Sequence, residues 1–261
     1  MNRELSLTEE QIYSGNLLLV NADYPLLATC KEPKGQELLA VDSAYPDILL
    51  KRDAVNVLQL VLKKLDAEEH IIPVSGYRSA AEQTKIFEQS LKESGEDFTR
   101  KFVALPNHSE HQTGLAIDLG LKQEVIDFIC PDFPYEGICE QFRTLAPDYG
   151  FVERYPLGKE EITGIAHEPW HFRYVGYPHA KIMQEKGLTL EEYIAYIRQF
   201  PYQEQHLRMQ QGKKEIEIFY LAAKKAGQTE IAIPEQTLYQ VSGNNVDGYI
   251  VTLWRDRNET E

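Results

Sequence analysis

Two short segments concentrate the side chains able to bind a metal or move a proton. One is Ser109-Glu110-His111-Gln112-Thr113-Gly114-Leu115-Ala116-Ile117-Asp118, the other His167-Glu168-Pro169-Trp170-His171. Two imidazoles and one carboxylate make a three-ligand zinc set that leaves the fourth position for water. A further Glu beside that water can take its proton. Spacing alone does not choose the ligands. His111 and Asp118 are seven apart, which is one face of a helix but opposite faces of a regular strand. Gly114 and the β-branched Thr113 and Ile117 disfavour a helix, so His111 is expected on a loop and Asp118 on the strand that follows. Pro169 pushes Glu168 out of the α region. That excludes the helical two-histidine motif of the commoner zinc peptidases.

The elements that must position these residues are readable from periodicity and caps. Asp53–Glu69 predicts a helix with Ala54, Leu58, Val61 and Leu65 inward. Ile71–Val74 predicts a buried strand that runs into the turn Ser75-Gly76-Tyr77-Arg78-Ser79. Ser79 and Glu82 form a capping box opening a helix to about Glu93, which puts Arg78 at a strand-to-helix corner facing a cleft. Strands are predicted at Leu115–Leu119, Gly150–Tyr155 and Trp170–Val175, and helices at Gly137–Leu145, Pro178–Lys186 and from Thr189 to before Pro201. After Gly212 come short β-like runs at Glu215–Leu221, Glu230–Ile233, Thr237–Val241 and Tyr249–Trp254, with a turn at Gly243–Gly248. Leu121 to Glu140 reads as a long irregular surface stretch with a short helix. His108 and His167 are read as packing or loop residues, Glu110 as solvated, Asp148 and Arg173 as surface or pairing groups, and Trp170 as a wedge behind Glu168 and His171.

Composition narrows the function classes. The 261 residues are 43% hydrophobic and 26% charged, enough for a substantial core. The net charge of −14 argues against nucleic acid and anionic membranes, which need clustered Lys and Arg. No apolar run approaches the roughly 20 residues of a membrane span, so no stable membrane insertion is expected. Leu17–Val20 is too short for the core of a signal peptide, and a cytoplasmic protein is expected. Cys30, Cys130 and Cys139 are odd in number and unpatterned, which suggests neither a disulfide framework nor a cysteine metal site.

Three ordered motifs carry a resemblance: Ser75-Gly76-Tyr77-Arg78-Ser79 with Gln83, the Ser-x-His-x-x-Gly-x-Ala-x-Asp of Ser109–Asp118, and the Glu-x-x-His of Glu168–His171. Together they resemble the zinc D-alanyl-D-alanine peptidases, most nearly the VanXY-type bifunctional D,D-dipeptidases/D,D-carboxypeptidases of vancomycin resistance. The resemblance runs from about Ile12 to Gln199, and members with an added C-terminal segment match the rest. It implies one Zn2+ per chain held by His111, Asp118 and His171, with Glu168 as catalytic base and Arg78 as the cation of the transition state. Gln83 and Ser109 match positions that contact substrate, and Leu121 to Glu140 matches a lid. The implied substrates are a small D,D-dipeptide and a peptidoglycan precursor peptide. One departure is Pro106-Asn107-His108, where the family often has Pro-Gly. The fold class expected is α+β: a small central antiparallel sheet with flanking helices carrying a mononuclear zinc site in residues 1–205, then a small β satellite in 206–261. Two rivals share the zinc set. A peptidoglycan endopeptidase is disfavoured by the absent export signal, and a zinc-stabilised wall-peptide binding module by an intact Glu168 and Arg78.

Overall fold

The structure, a computed structural model, describes residues 2–27, 32–33 and 35–256. In chain order the strands are β1 (Asn2–Leu7), β2 (Leu38–Asp42), β3 (Tyr45–Lys51), β4 (Ile71–Ser75), β5 (Ala116–Leu121), β6 (Phe151–Tyr155), β7 (Glu168–Tyr174), β8 (Leu207–Gln211), β9 (Lys214–Ala222), β10 (Thr229–Pro234), β11 (Leu238–Gly243) and β12 (Gly248–Asp256). The helices are α1 (Arg52–Lys64), α2 (Ala80–Ser94), α3 (Glu96–Phe102), α4 (Gly137–Leu145), α5 (Glu160–Thr163), α6 (His179–Lys186) and α7 (Leu190–Ile197). The class is α+β, with small antiparallel sheets and flanking helices.

The chain divides into two compact units. One takes Val20–Pro25 and Lys31–Thr189. Its centre is an antiparallel sheet in the order β4-β5-β7-β6, beside the hairpin β2-β3. α1 covers this core because Ala54, Val55, Leu58, Val61 and Leu62 form one buried stripe, with Asp53 in the first turn and Lys63 and Lys64 in the last. It stops at Lys64, short of the expected Glu69, where Asp66 turns to a φ of 50°. Ile117, Leu119, Phe142, Phe151 and Phe172 complete the core. The capping box of α2 is present, with the Glu82 N–H donating to Ser79 Oγ and the Ser79 N–H donating to Glu82 Oε2.

The other unit is chiefly Met1–Leu19 with Leu190–Glu261. Its sheet runs β11-β12-β9-β8, and β1 pairs with β10 from Asn2↔Pro234 to Leu7↔Thr229. A division at 205 follows the sequence, whereas compactness groups β1 and α7 with the satellite strands, because among the described residues β1 takes its ladder partner from β10. No helix among the described residues is long and apolar enough to cross a membrane. Cys130 and Cys139 are free thiols, and Cys30 lies outside the described residues.

Candidate active site

The site is assembled at one end of the β4-β5-β7-β6 sheet. Asp118 on β5 lies directly opposite His171 on β7 and opposite Ser75 on β4, so these three side chains form one row on one face. His111 arrives from a single 3₁₀ turn, Glu110–Thr113, where a plain loop was expected. Gly114 ends that turn at a φ of 69°, a conformation that costs a residue with a Cβ, and a Cβ there would also press on Leu38 at 3.0 Å. Gly76 is required for a different reason: a Cβ would come within 2.4 Å of the Leu49 carbonyl of β3. This close passage lets the Gly76 carbonyl accept from His111 Nδ1 at 2.7 Å, while the Arg78 N–H donates to the His111 carbonyl at 3.3 Å.

Glu168 is the first residue of β7, although the strand was expected to begin at Trp170. Pairing with β6 places Pro169, Trp170 and His171 opposite the single residue Arg154, between Glu153↔Phe172 and Tyr155↔Glu168. Such a bulge is where a proline inside a strand is tolerated. It also breaks the alternation that would send residues three apart to opposite faces, and Glu168 Oε2 lies 3.7 Å from His171 Nδ1.

His111, Asp118 and His171 are all buried, and one ligand atom from each lies within 4.8 Å of the others. His111 Nε2 is 3.2 Å from Asp118 Oδ2, and His171 Nδ1 is 2.9 Å from Asp118 Oδ1. Because the Gly76 carbonyl can only accept, His111 carries its proton on Nδ1 and offers the Nε2 lone pair. Two imidazole nitrogens and one carboxylate oxygen, converging and buried, fit a divalent metal of the zinc type. Arg78 reaches the same atoms: its Nη2 donates to Asp118 Oδ2 at 2.9 Å and lies 3.0 Å from His111 Nε2. Ser75 Oγ and Gln83 Oε1 brace the guanidinium, at 2.9 Å from Nε and 3.2 Å from Nη1. The Gln83 amide also donates to the Ala104 carbonyl, so both its ends are engaged within the protein.

These groups line a cavity of about 440 Å³ that also takes in Gln83, Ser109, Tyr155 and Trp170, with Phe128 and Ile129 from the segment after β5. Burial pushes the Glu168 carboxyl up to about 8, with Asp118 and Glu110 adding to the rise and His171 and Arg78 opposing it. Burial, helped by Arg78, takes His111 down to about 4, so its imidazole is neutral at physiological pH.

Three comparisons bear on this geometry. The D-alanyl-D-alanine carboxypeptidase (VanY) family profile matches residues 47–177, half of the chain and the whole of the site. The bifunctional D-Ala-D-Ala dipeptidase and D-Ala-D-Ala carboxypeptidase VanXYC of Enterococcus gallinarum is 43% identical over 184 residues, 70% of this chain and 95% of the relative. This chain belongs to the VanY family. A crystal structure of the vancomycin resistance D,D-dipeptidase VanXYg, in complex with a D-Ala-D-Ala phosphinate analogue, is 59% identical. It matches with a TM-score of 0.93 over 98% of this chain and 100% of that one. A mutant of the VanY D,D-pentapeptidase from a VanB-type resistance cassette, in complex with Zn(II), is 28% identical, with a TM-score of 0.55 over 69% of this chain and 98% of that one.

As a VanY-family peptidase the chain departs from the usual Pro-Gly at Asn107, and the structure gives the reason this is tolerated. Asn107 has a φ of 68°, the left-handed region that glycine favours and asparagine accepts best among the rest. His108 and His167 stay out of the ligand cluster: His108 Nδ1 is 2.7 Å from the Asn21 carbonyl, and His167 stacks on Tyr135. Asp148 pairs with Lys181 at 2.8 Å. Glu110 requires a correction. It is buried, not solvated, with Oε1 accepting from Arg154 Nε at 2.8 Å and Arg173 Nη1 at 2.7 Å. The signal was there: Arg154 and Arg173 interrupt the runs Phe151–Tyr155 and Phe172–Tyr174, and an arginine inside a buried strand requires an acidic partner.

Proposed function

We propose that this chain uses one zinc ion, held by His111, Asp118 and His171, to hydrolyse D-Ala-D-Ala and to remove the C-terminal D-Ala of peptidoglycan precursor pentapeptides. Loss of these termini lowers vancomycin binding and so contributes to resistance. The observation that carries the reading is Glu168, a carboxyl raised to about 8 and set 3.7 Å from His171 in a walled cavity. A group that changes charge near neutral pH suits both accepting and returning a proton. The likeness to VanXYC and VanXYg supports the substrates, and the Zn(II) complex of the VanY relative supports the metal.

Bound at the three ligands, zinc supplies a Lewis acid that activates water and polarises the peptide carbonyl. Glu168 Oε2 takes the proton of the attacking water and passes it to the leaving amine. Arg78, fixed by Ser75 and Gln83, holds a cation against the oxygen that gains charge as the carbonyl is attacked. Ser109, at the cavity wall, offers a neutral hydroxyl to the substrate carboxylate. Gln83 serves the substrate through Arg78, whose guanidinium it holds in place. We assign the chemistry to residues 1–205, within the unit that carries β4, β5, β7 and β6, and read 206–261 as a small C-terminal β segment. A free dipeptide and unpolymerised precursors are substrates met inside the cell, and the cytoplasm is the proposed compartment.

Product analysis tests this directly. D-Ala-D-Ala should give free D-Ala, and a muramyl pentapeptide should give the tetrapeptide plus D-Ala. Both activities should vanish with a chelator and return with Zn2+. Hydrolysis that survives full removal of the metal would overturn the reading.

A further inference from the structure

Behind the ligands lies a buried charge cluster that the proposed reaction does not use. Glu110, Arg154 and Arg173 have side chains with no solvent exposure. Arg154 Nε and Arg173 Nη1 donate to the same oxygen, Glu110 Oε1. The other, Oε2, is buried without a hydrogen-bond partner, and so is His171 Nε2. These two orphans face each other at 3.6 Å. A buried polar atom lacking a partner is costly, and two such atoms left side by side, one on a ring nitrogen and one on a carboxylate, become a hydrogen-bonded pair with a shift of a few tenths of an ångström.

We propose that Glu110 is a positioning residue: clamped by Arg154 and Arg173, it accepts the Nε2 proton bond of His171 and thereby fixes that ring with Nδ1 presented to the metal. The inference rests on the metal reading above. Its logic is that of the ring itself. A neutral imidazole has one N–H and one lone pair, so a metal bound at Nδ1 takes the lone pair there and leaves the N–H on Nε2, facing Glu110 Oε2. His171 Nδ1 is the nitrogen beside Asp118 and Glu168. His111 is set the opposite way, with the Gly76 carbonyl taking Nδ1–H and leaving Nε2 for the site. The two histidines thus turn different nitrogens to one point, each held by a different kind of acceptor. The arginines explain why Glu110 can serve. Two guanidinium donors at 2.7 and 2.8 Å anchor the carboxylate and offset the cost of burying it. Fixing both arginines on Oε1 leaves Oε2 free for the ring. Tyr155 packs on the His171 ring at 4.8 Å between centroids, so rotation about the ring is opposed on its face as well as at its edge.

The test uses the full chain with Glu110→Gln and Glu110→Asp. Zn2+ affinity is read by competition with a chromogenic chelator, and His171 is read by 15N NMR of histidine-labelled protein. Outer-shell partners of this kind typically set 10–100-fold in metal affinity. Glu110→Gln should bind Zn2+ about 10–100-fold more weakly, and Glu110→Asp should recover part of the loss. In the wild-type zinc form, His171 should show a proton on Nε2 and zinc on Nδ1, a measurement that needs no folded variant. Zinc on Nε2 of His171 would overturn the proposal. So would a Glu110→Gln protein that melts lower yet binds Zn2+ as tightly as wild type, since that is the mark of a structural ion cluster. A wild-type chain that binds no Zn2+ would instead defeat the metal reading.

Discussion

Replacing Arg78 by Ala should change metal binding and catalysis in opposite directions. Its Nη2 lies 2.9 Å from Asp118 Oδ2 and 3.0 Å from His111 Nε2, two of the atoms assigned to the metal. A guanidinium there repels a dication and competes for both ligands. A dication and a unit charge about 4 Å apart at an effective dielectric of about 20 repel by about 8 kcal/mol, twice the value for two unit charges. The Arg78 side chain is 19% exposed, and its loss also frees Asp118 from a brace, so a smaller part of that repulsion should be recovered. We expect about 1–2 kcal/mol, or Zn2+ binding roughly 5–30-fold tighter. For turnover the sign reverses. Removing one preorganised group aimed at a developing oxyanion typically costs about 2.7–4 kcal/mol, a fall of about 10²–10³ in kcat. Chelator competition and steady-state hydrolysis of D-Ala-D-Ala on the same preparation read both effects. Weaker zinc binding would show that Arg78 holds the ligands in place and does not repel the metal. A change confined to KM would make it a clamp on the substrate carboxylate.

Three further outcomes follow from particular contacts. Glu168→Gln should keep stoichiometric zinc and lose about 10²–10⁴ in kcat, and loss of zinc with activity would make Glu168 a ligand instead. His179 is buried and its pKa is lowered to about 3 by burial. The unfolded chain therefore takes a proton there that the folded chain refuses, so stability falls as the pH drops from about 6.5 towards 3 and is unaffected above it. At pH 5 this amounts to about 2 kcal/mol, and urea titrations of His179→Gln should show a flatter acid limb; an unchanged limb would remove His179 from the acid response. Phe128, exposed at the cavity wall, and Ile129 make the segment after β5 a candidate lid. Shortening it within residues 122–127 should shift the ratio of dipeptidase to carboxypeptidase activity at constant zinc content, and an unmoved ratio would place selectivity elsewhere.

What the sequence made legible was local. Ser79 and Glu82 announce the start of α2, the α1 stripe is a 3.6-residue repeat, and Pro169 forbids a helix through Glu168. Glycine and proline pin backbone conformations, and those constraints need no distant partner. The elements that escaped are those whose reason lies far away. β1 forms because β10 is there, over 220 residues later, and β2, β3 and β8 likewise depend on neighbours in a hairpin. The same holds for Glu110. Its neighbours in sequence suggest a polar turn, and only the return of β6 and β7 brings Arg154 and Arg173 against it. Burial of a charge is a property of the assembled sheet, so a window of ten residues cannot reveal it.

The way the sheet is broken explains how it makes a site at all. A regular antiparallel ladder places one row of side chains across a face, and the row Ser75, Asp118, His171 is such a row. It can supply a carboxylate, an imidazole and, through Ser75 Oγ, a hold on Arg78, but no fourth group from the same strand at odd spacing. The ladder slips on both sides of Asp118. β4 carries Val74 as an extra residue between Pro73 and Ser75, and β7 carries three residues against one of β6. The first slip brings Ser75 into line with Asp118 just before the chain turns to Arg78. The second turns Glu168 to the face of His171 while setting Arg154 across from the bulge, where its guanidinium meets Glu110. Two local register faults thus bring Glu168, Arg78 and Glu110 to the ladder pair Asp118 and His171. A substitution that regularised the β7 bulge would be expected to remove Glu168 from the site while leaving Asp118 and His171 opposite one another.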